Sequence, residues 1–208
     1  MPKILHLESS MRGERSASST VAKSFLREFL RTNADYSVDT LNLWQERMPE
    51  FDGFMQEAKY VLLNGKEHTI EHKEAWGKIE QIVDRFKSAD KYVISLPMWN
   101  FGMPYILKHY LDLLIQPGLT FTFSPETGYA GLVTGKPVLI VAARSGSYEG
   151  AAASYDHQVP FLKQLLQFIG FTDIRTVLVD NTIGMEKNAW ELAVERAKKV
   201  ALEIAPDF

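Results

Sequence analysis

The 208 residues include no cysteine. Disulfides, thiolate metal sites and thiol redox chemistry are therefore excluded. A reducing compartment suits such a chain, and a cytoplasmic location is the expectation. Charge of one sign is missing too. Lys and Arg number 23 against 26 Asp and Glu, a net charge of −3. Electrostatics thus make no case for nucleic acid or for an anionic membrane as partner. No apolar run approaches a bilayer-spanning length. The N-terminus reads as a strand from residue 3, not as a cationic segment, apolar region and cleavage site. Neither G-x-G-x-x-G nor G-x-S-x-G occurs. With no low-complexity linker, composition break or internal repeat, residues 1–208 read as one domain.

What is present is an alternation of strand and helix patterns. Lys3–Leu7, Lys91–Leu96, Pro137–Ala143 and Ile174–Val179 are apolar runs of strand length, and Ser37–Leu43 alternates as a half-buried strand. Ser18–Leu30 is periodic, with Val21, Ala22, Phe25, Leu26, Phe29 and Leu30 on one face. Phe51–Leu63 and Glu67–Lys87 read as helices broken near Asn64-Gly65, and Glu186–Ile204 as the last helix. Ala151–Ile169 is mainly helical in its second half, ended by Gly170. Pro104 is placed at the first helical position of a helix running to about Ile115. That helix is too apolar for a single buried face. Either it is a core helix covered by the hairpin expected near Leu119–Phe123 and Tyr129–Leu132, or its second face packs on another subunit. Five strands separated by helices imply an α/β doubly wound parallel sheet with helices on both faces and a small β-hairpin insertion.

Loops at the carboxyl ends of strands are where such sheets bind ligands, and three of them carry suitable chemistry. The first, Ser9 to Ser18, sets Ser10, Ser16 and Ser18 at a helix start, where orphan amides and the dipole favour an anion. Its bland reading is an ordinary N-cap, with Arg12 and Arg15 either adding charge or solvated. The second, Pro97-Met98-Trp99-Asn100-Phe101-Gly102-Met103-Pro104, offers a flat side chain, an amide and a Gly that lets backbone come close. These suit a planar heteroaromatic cofactor, although a lone Trp in a loop is often packing. The third, Ala142 to Tyr148, has small residues that admit a ligand edge, or is a plain strand-to-helix turn. Three such loops at three strand ends say more than any one.

Other patterns are weaker. His68-Thr69-Ile70-Glu71-His72 matches H-x-x-E-H, but lies among alternating charges typical of an exposed helix face, so no metal site is expected. Gly131 to Pro137 resembles a P-loop one residue short, followed by Pro and leading into a strand, and reads as a turn. Asp156-His157 reads as a proton-transfer pair or as a surface pair, and His6 as a core or sheet residue.

Taken together, the chain resembles the FMN-dependent NADH-azoreductases, also described as FMN-dependent NADH:quinone oxidoreductases, on the flavodoxin-like fold. Ser9-Ser10 with Ser16-Ala17-Ser18, Pro97 to Phe101, Leu119-Thr120-Phe121, Gly131 to Lys136 and Arg144-Ser145-Gly146 carry the resemblance, which spans nearly the whole chain. It implies a homodimer with non-covalent FMN near the subunit interface. Ser10, Ser16, Ala17 and Ser18 would bind the phosphate. Met98, Trp99, Asn100 and Phe101 would line the isoalloxazine ring. Ala143, Arg144, Ser145 and Gly146 would meet its pyrimidine side. The family's usual Tyr in the second loop is Trp99 here. Its third loop often reads Ser-Arg-Gly-Gly with a His two residues on, where this chain has Tyr148.

The resemblance also implies a ping-pong exchange: NADH or NADPH gives a hydride to the flavin, then a quinone or azo compound takes the same place and accepts two electrons. Trp99 would shape the substrate slot and the Asn100 amide would stabilise developing charge. Tyr148 and His157 are candidate proton donors, with water the alternative. Two other readings compete. A flavodoxin-type electron carrier would be smaller and strongly acidic, and would not oxidise NADH unaided. A nucleotide-binding regulator would be colourless and refuse FMN.

Overall fold

A computed structural model describes residues Met1–Phe208. The central sheet is built from β1 (Lys3–Glu8), β2 (Ser37–Asn42), β3 (Lys91–Pro97), β6 (Val138–Ala143) and β7 (Ile174–Val179), while β4 (Phe121–Ser124) and β5 (Gly128–Gly131) form a separate antiparallel hairpin. The sheet is parallel throughout, in the order β2-β1-β3-β6-β7. After β2 the chain returns past β1, so the winding reverses between β1 and β3. The helices are α1 (Ala17–Thr32), α2 (Gly53–Leu63), α3 (Ile70–Lys87), α4 (Tyr105–Leu114), α5 (Val159–Phe168) and α6 (Ala189–Ile204). None is long and apolar enough to cross a membrane.

Side chains alternate across the pleat and so divide the core in two. Ile4, Val93, Leu139, Val141, Val177 and Val179 pack with α1 and α6 on one face. Leu5, Leu7, Tyr92, Ile94, Val138 and Ile140 pack with α2 to α5 on the other. Both faces of the inner strands are thus covered, which is why they read as unbroken apolar runs.

Several expectations are corrected. Pro104 is the N-cap of α4, with an extended ψ of 142°, and helical backbone begins at Tyr105. A proline fixes φ but not ψ, so it serves equally just outside a helix. Helix α6 starts at Ala189 rather than Glu186, because 180–188 is a loop held by turns. The hairpin does not chiefly cover α4. Its rings pack on the end of α5, with Phe121 and Tyr129 at 4.7 and 5.5 Å from Phe168. Helix α4 buries Leu107, Tyr110, Leu111, Leu113 and Leu114 within the α2 to α5 layer and leaves Tyr105 exposed. The Lys66 to Glu74 stretch is mostly exposed, as expected, but its two histidines turn inward. Thr69 caps α3, His72 is buried beside the Phe54 ring, and His68 Nε2 lies 2.7 Å from the Ala58 carbonyl.

Candidate active site

The strands that deliver the three loops, β1, β3 and β6, are hydrogen-bonded neighbours, so the loops emerge side by side at the point where the winding reverses. Two main-chain links lock them. Ser9 donates through both N–H and Oγ to the Ser95 carbonyl, each at 3.0 Å. Met98 N–H donates to the Ala143 carbonyl at 2.7 Å.

In the first loop, Ser16 has extended backbone (φ −82°, ψ 118°) and caps α1 by accepting from Ser19 N–H at 3.2 Å. Its hydroxyl lies 3.3 Å from that of Ser18, and Ser10 Oγ accepts from Arg12 N–H at 3.4 Å. Ser10, Ser16, Ala17 and Ser18 are all buried. The Ala17 and Ser18 N–H groups have no partner in the chain, and the buried Ser19 hydroxyl is also unsatisfied. Such a set of donors at the start of a 16-residue helix suits a phosphate. Arg12 and Arg15 are exposed.

The second loop is strained. Asn100 (φ 46°) and Phe101 (φ 69°) are both left-handed, and Trp99 and Gly102 exchange N–H to carbonyl bonds of 2.9 Å around them. This is a two-residue hairpin turn of the type that usually selects Asn-Gly. Asn tolerates the conformation, but a bulky Phe seldom adopts it. Strain of this kind, of order 1–3 kcal/mol, collects at functional sites. The turn leaves the Asn100 and Phe101 N–H groups unpaired. Phe101 is half exposed, its ring 5.5 and 6.3 Å from Tyr155 and Tyr148, and its carbonyl accepts from His157 N–H at 3.0 Å.

Two aromatic residues not singled out from the sequence support Trp99. Trp44 lies 5.7 Å from it and Tyr105 6.3 Å, and Trp44 Nε1 donates to the Ser9 carbonyl at 2.8 Å. A signal for Trp44 existed: it follows β2 at the same sheet edge, as Trp99 follows β3.

In the third loop Arg144 is 4% exposed and points inward. Its Nε bonds Asp180 at 2.6 Å, Nη1 bonds Asp156 at 2.5 Å, and the Tyr148 ring lies 5.3 Å away. Burial opposes its charge, yet the hydrogen bonds it donates to the two carboxylates hold its pKa above the usual arginine value. Its N–H and carbonyl are bonded to Val179 and Thr182. Arg144 is therefore a strut inside the loop. The Ser145 and Gly146 N–H groups remain free to face a ligand. Asp156 also accepts from the Gln158 and Val159 N–H groups. These bonds make Asp156 a support for Arg144 and for the start of α5, a structural role beside its alternative as a proton-transfer partner of His157. His157 itself is exposed and, with Trp99, Asn100, Tyr105 and Phe161, lines a groove of about 1010 Å³. Tyr148 stands outside that groove, against Arg144.

Beneath the loops, His6 is 1% exposed, with Nε2 2.9 Å from Ser95 Oγ. Burial pushes its pKa down to about 4, Glu8 opposing and Lys23 adding to the effect. A histidine lowered in the fold stays neutral while its unfolded form charges. Its contribution is complete above the unfolded pKa of 6.5 and is lost as pH falls toward 4. Urea unfolding at pH 7 and pH 4.5 should show a loss on the order of 2–3 kcal/mol from this residue. His6→Asn should flatten that slope; an unchanged slope would assign the acid sensitivity elsewhere.

Comparison with known proteins gives a consistent result. Residues 2–201 match a family model described as flavodoxin-like fold. The chain is 42% identical over 209 residues to an FMN-dependent NADH:quinone oxidoreductase of Desulfotalea psychrophila, covering 100% of this chain and 98% of that one. A protein of the same description from Nitratidesulfovibrio vulgaris is also 42% identical, over 98% of this chain and 100% of the relative. Among solved structures, an azoreductase from Bacillus anthracis superposes with a TM-score of 0.90 at 28% identity over 100% of both chains. An FMN-dependent NADH-azoreductase from the same species, in complex with FMN, superposes with a TM-score of 0.85 at 27% identity, over 99% of this chain and 100% of that one.

Proposed function

Since the chain belongs to the FMN-dependent NADH:quinone oxidoreductases of flavodoxin-like fold, we propose that its three adjacent loops hold FMN and that it passes two electrons from NADH to quinones and azo compounds in a ping-pong cycle. The observation that carries this reading is the match between unpaired donors and the parts of FMN. The Ala17 and Ser18 N–H groups, with the Ser10, Ser16 and Ser18 hydroxyls, form an anion cradle. The free N–H groups of Asn100, Phe101, Ser145 and Gly146 suit the polar rim of a flat heterocycle, and Trp99 with Met98 suits its ring.

When bound, the cofactor supplies hydride acceptance from the nicotinamide and two-electron delivery to the acceptor. The chain's residues bind, orient and shield. Trp44 and Tyr105 brace Trp99, which shapes the slot in which donor and acceptor succeed each other. The fixed N–H dipoles stabilise developing negative charge without reorganising. Arg144 acts by position, tying the third loop to Asp156 and Asp180. His157, exposed in the groove, is placed to give a proton to the reduced product, and water is the competing donor. Tyr148, held by Arg144, has the weaker claim. Phe101, Tyr105, Tyr155 and Phe161 expose apolar surface around the groove, and a second copy of the chain would cover it. The resulting homodimer would complete the slot.

The test is the visible spectrum of the purified protein followed by steady-state kinetics with NADH or NADPH against menadione and an azo dye. Bound flavin and parallel double-reciprocal lines are expected. A flavin-loaded protein that leaves NADH unoxidised would instead be an electron carrier, and a protein that refuses FMN would end the reading.

A further inference from the structure

The groove at Trp99 runs along one face of α4. Tyr105, His109 and Asp112 line it at intervals of four and three residues, which set them in one stripe. Tyr105 lies 6.3 Å from Trp99, and His109 stands one helical turn further on, about 6 Å along the axis. His109 is half-buried, and its Nε2 lies 2.9 Å from the Pro49 carbonyl. A carbonyl can only accept, so Nε2 carries the hydrogen and, in the neutral ring, Nδ1 keeps a bare lone pair. No group of the chain donates to Nδ1, and it is open to solvent. The ring is thus fixed through one nitrogen and available through the other.

The remaining polar side chains of the groove are less suited to accept from a ligand. Both carboxylate oxygens of Asp112 are engaged by Lys108 Nζ, at 2.6 and 2.8 Å. Lys59 and Lys108 can only donate. Gln116 gives its amide nitrogen to the Asp112 carbonyl, and its Oε1 is buried. Asn100 and His157 are exposed, and their side chains are not anchored by any hydrogen bond within the chain.

We infer that His109 is a specificity-determining residue for the electron acceptor. Its Nδ1 takes a hydrogen bond from a hydroxyl on the outer ring of an elongated two-ring acceptor whose inner ring is seated at Trp99. The inference rests on the groove being the acceptor slot, and it names phenolic azo compounds as the preferred class. A site built to bond a substrate hydroxyl disfavours an analogue that lacks its proton.

The test compares 4-hydroxyazobenzene with 4-methoxyazobenzene, which keeps the oxygen and loses the proton. Dissociation constants are read from quenching of tryptophan fluorescence, with FMN in excess and NADH absent, so no turnover is needed. The hydroxyl dye should bind about fivefold more tightly, the worth of one hydrogen bond. His109→Phe keeps a ring and removes both nitrogens, and should bring the two dyes within about twofold of each other. His109→Lys keeps a donor for the Pro49 carbonyl but offers no lone pair. It should have the same effect, and it decides the point if the first variant fails to fold. Discrimination retained in the variants, none in the parent, or no binding of either dye would each overturn the assignment. A protein that refuses FMN yet shows the His109-dependent discrimination would end the flavin reading and keep this recognition. An enzyme that turns over both dyes, with no difference between them in parent or variants, would do the reverse.

Discussion

Ser16→Asp is expected to strip the protein of its flavin while leaving its fold intact. Asp caps a helix as well as Ser does, and a carboxylate at the N-terminus of α1 is favoured by the helix dipole. The capping bond to Ser19 N–H is therefore kept. What changes is the sign of the cradle. Ser16 is 3% exposed and its hydroxyl sits 3.3 Å from that of Ser18, so the new charge lies in the niche proposed for the phosphate. Two anions held this close in a poorly hydrated site repel by several kcal/mol. FMN affinity should fall by at least about 100-fold, equivalent to about 2.7 kcal/mol. Fluorescence titration with FMN would read this, with the melting temperature of the flavin-free protein as control. Unaltered affinity would remove the first loop from the site.

The second large effect concerns the hairpin. Gly131→Ala should cost about 4 kcal/mol and lower the melting temperature by about 10 °C. A Cβ at this position would stand 2.2 Å from Gly170 N, 2.3 Å from the Ile169 carbonyl carbon and 2.5 Å from Gly170 Cα. All three are backbone atoms at the end of α5, so no side chain can rotate away. The contact is reinforced by Val133 N–H, which donates to the Ile169 carbonyl at 2.8 Å. The substitution must push β5 off α5, together with the rings packed on Phe168. A melting temperature within about 2 °C of the parent would mean that the hairpin can shift without affecting the core.

The sheet was legible in the sequence because its inner strands are buried on both faces, and unbroken apolar runs such as Val138 to Ala143 mark that burial without reference to neighbours. The three loops were legible for a related reason. Each begins where such a run ends, and each holds residue types that serve a ligand better than a turn. Interactions between distant residues were not legible. Nothing in the third loop announces that Asp180, 36 residues on, and Asp156 draw the Arg144 side chain inward. The left-handed turn at Asn100-Phe101 lacks the glycine that would announce it. The hairpin's seat on α5 depends on two glycine backbones meeting, and neither glycine signals the other. Pro104 marked the start of α4 correctly to within one residue, and its role differed because ψ is free.

The links between the three loops have a kinetic consequence. Ser9 and Ser95, which join the first two, are 86 residues apart in the chain, and the parallel strands carrying them cannot pair by simple hairpin closure. Pairings of this span form late and slowly. The proposed flavin pocket would therefore not pre-exist in a fragment lacking either strand, and colour acquired during refolding would be a clock for assembly of the central strands. The ligand that binds only the finished sheet also pulls the folding equilibrium toward it.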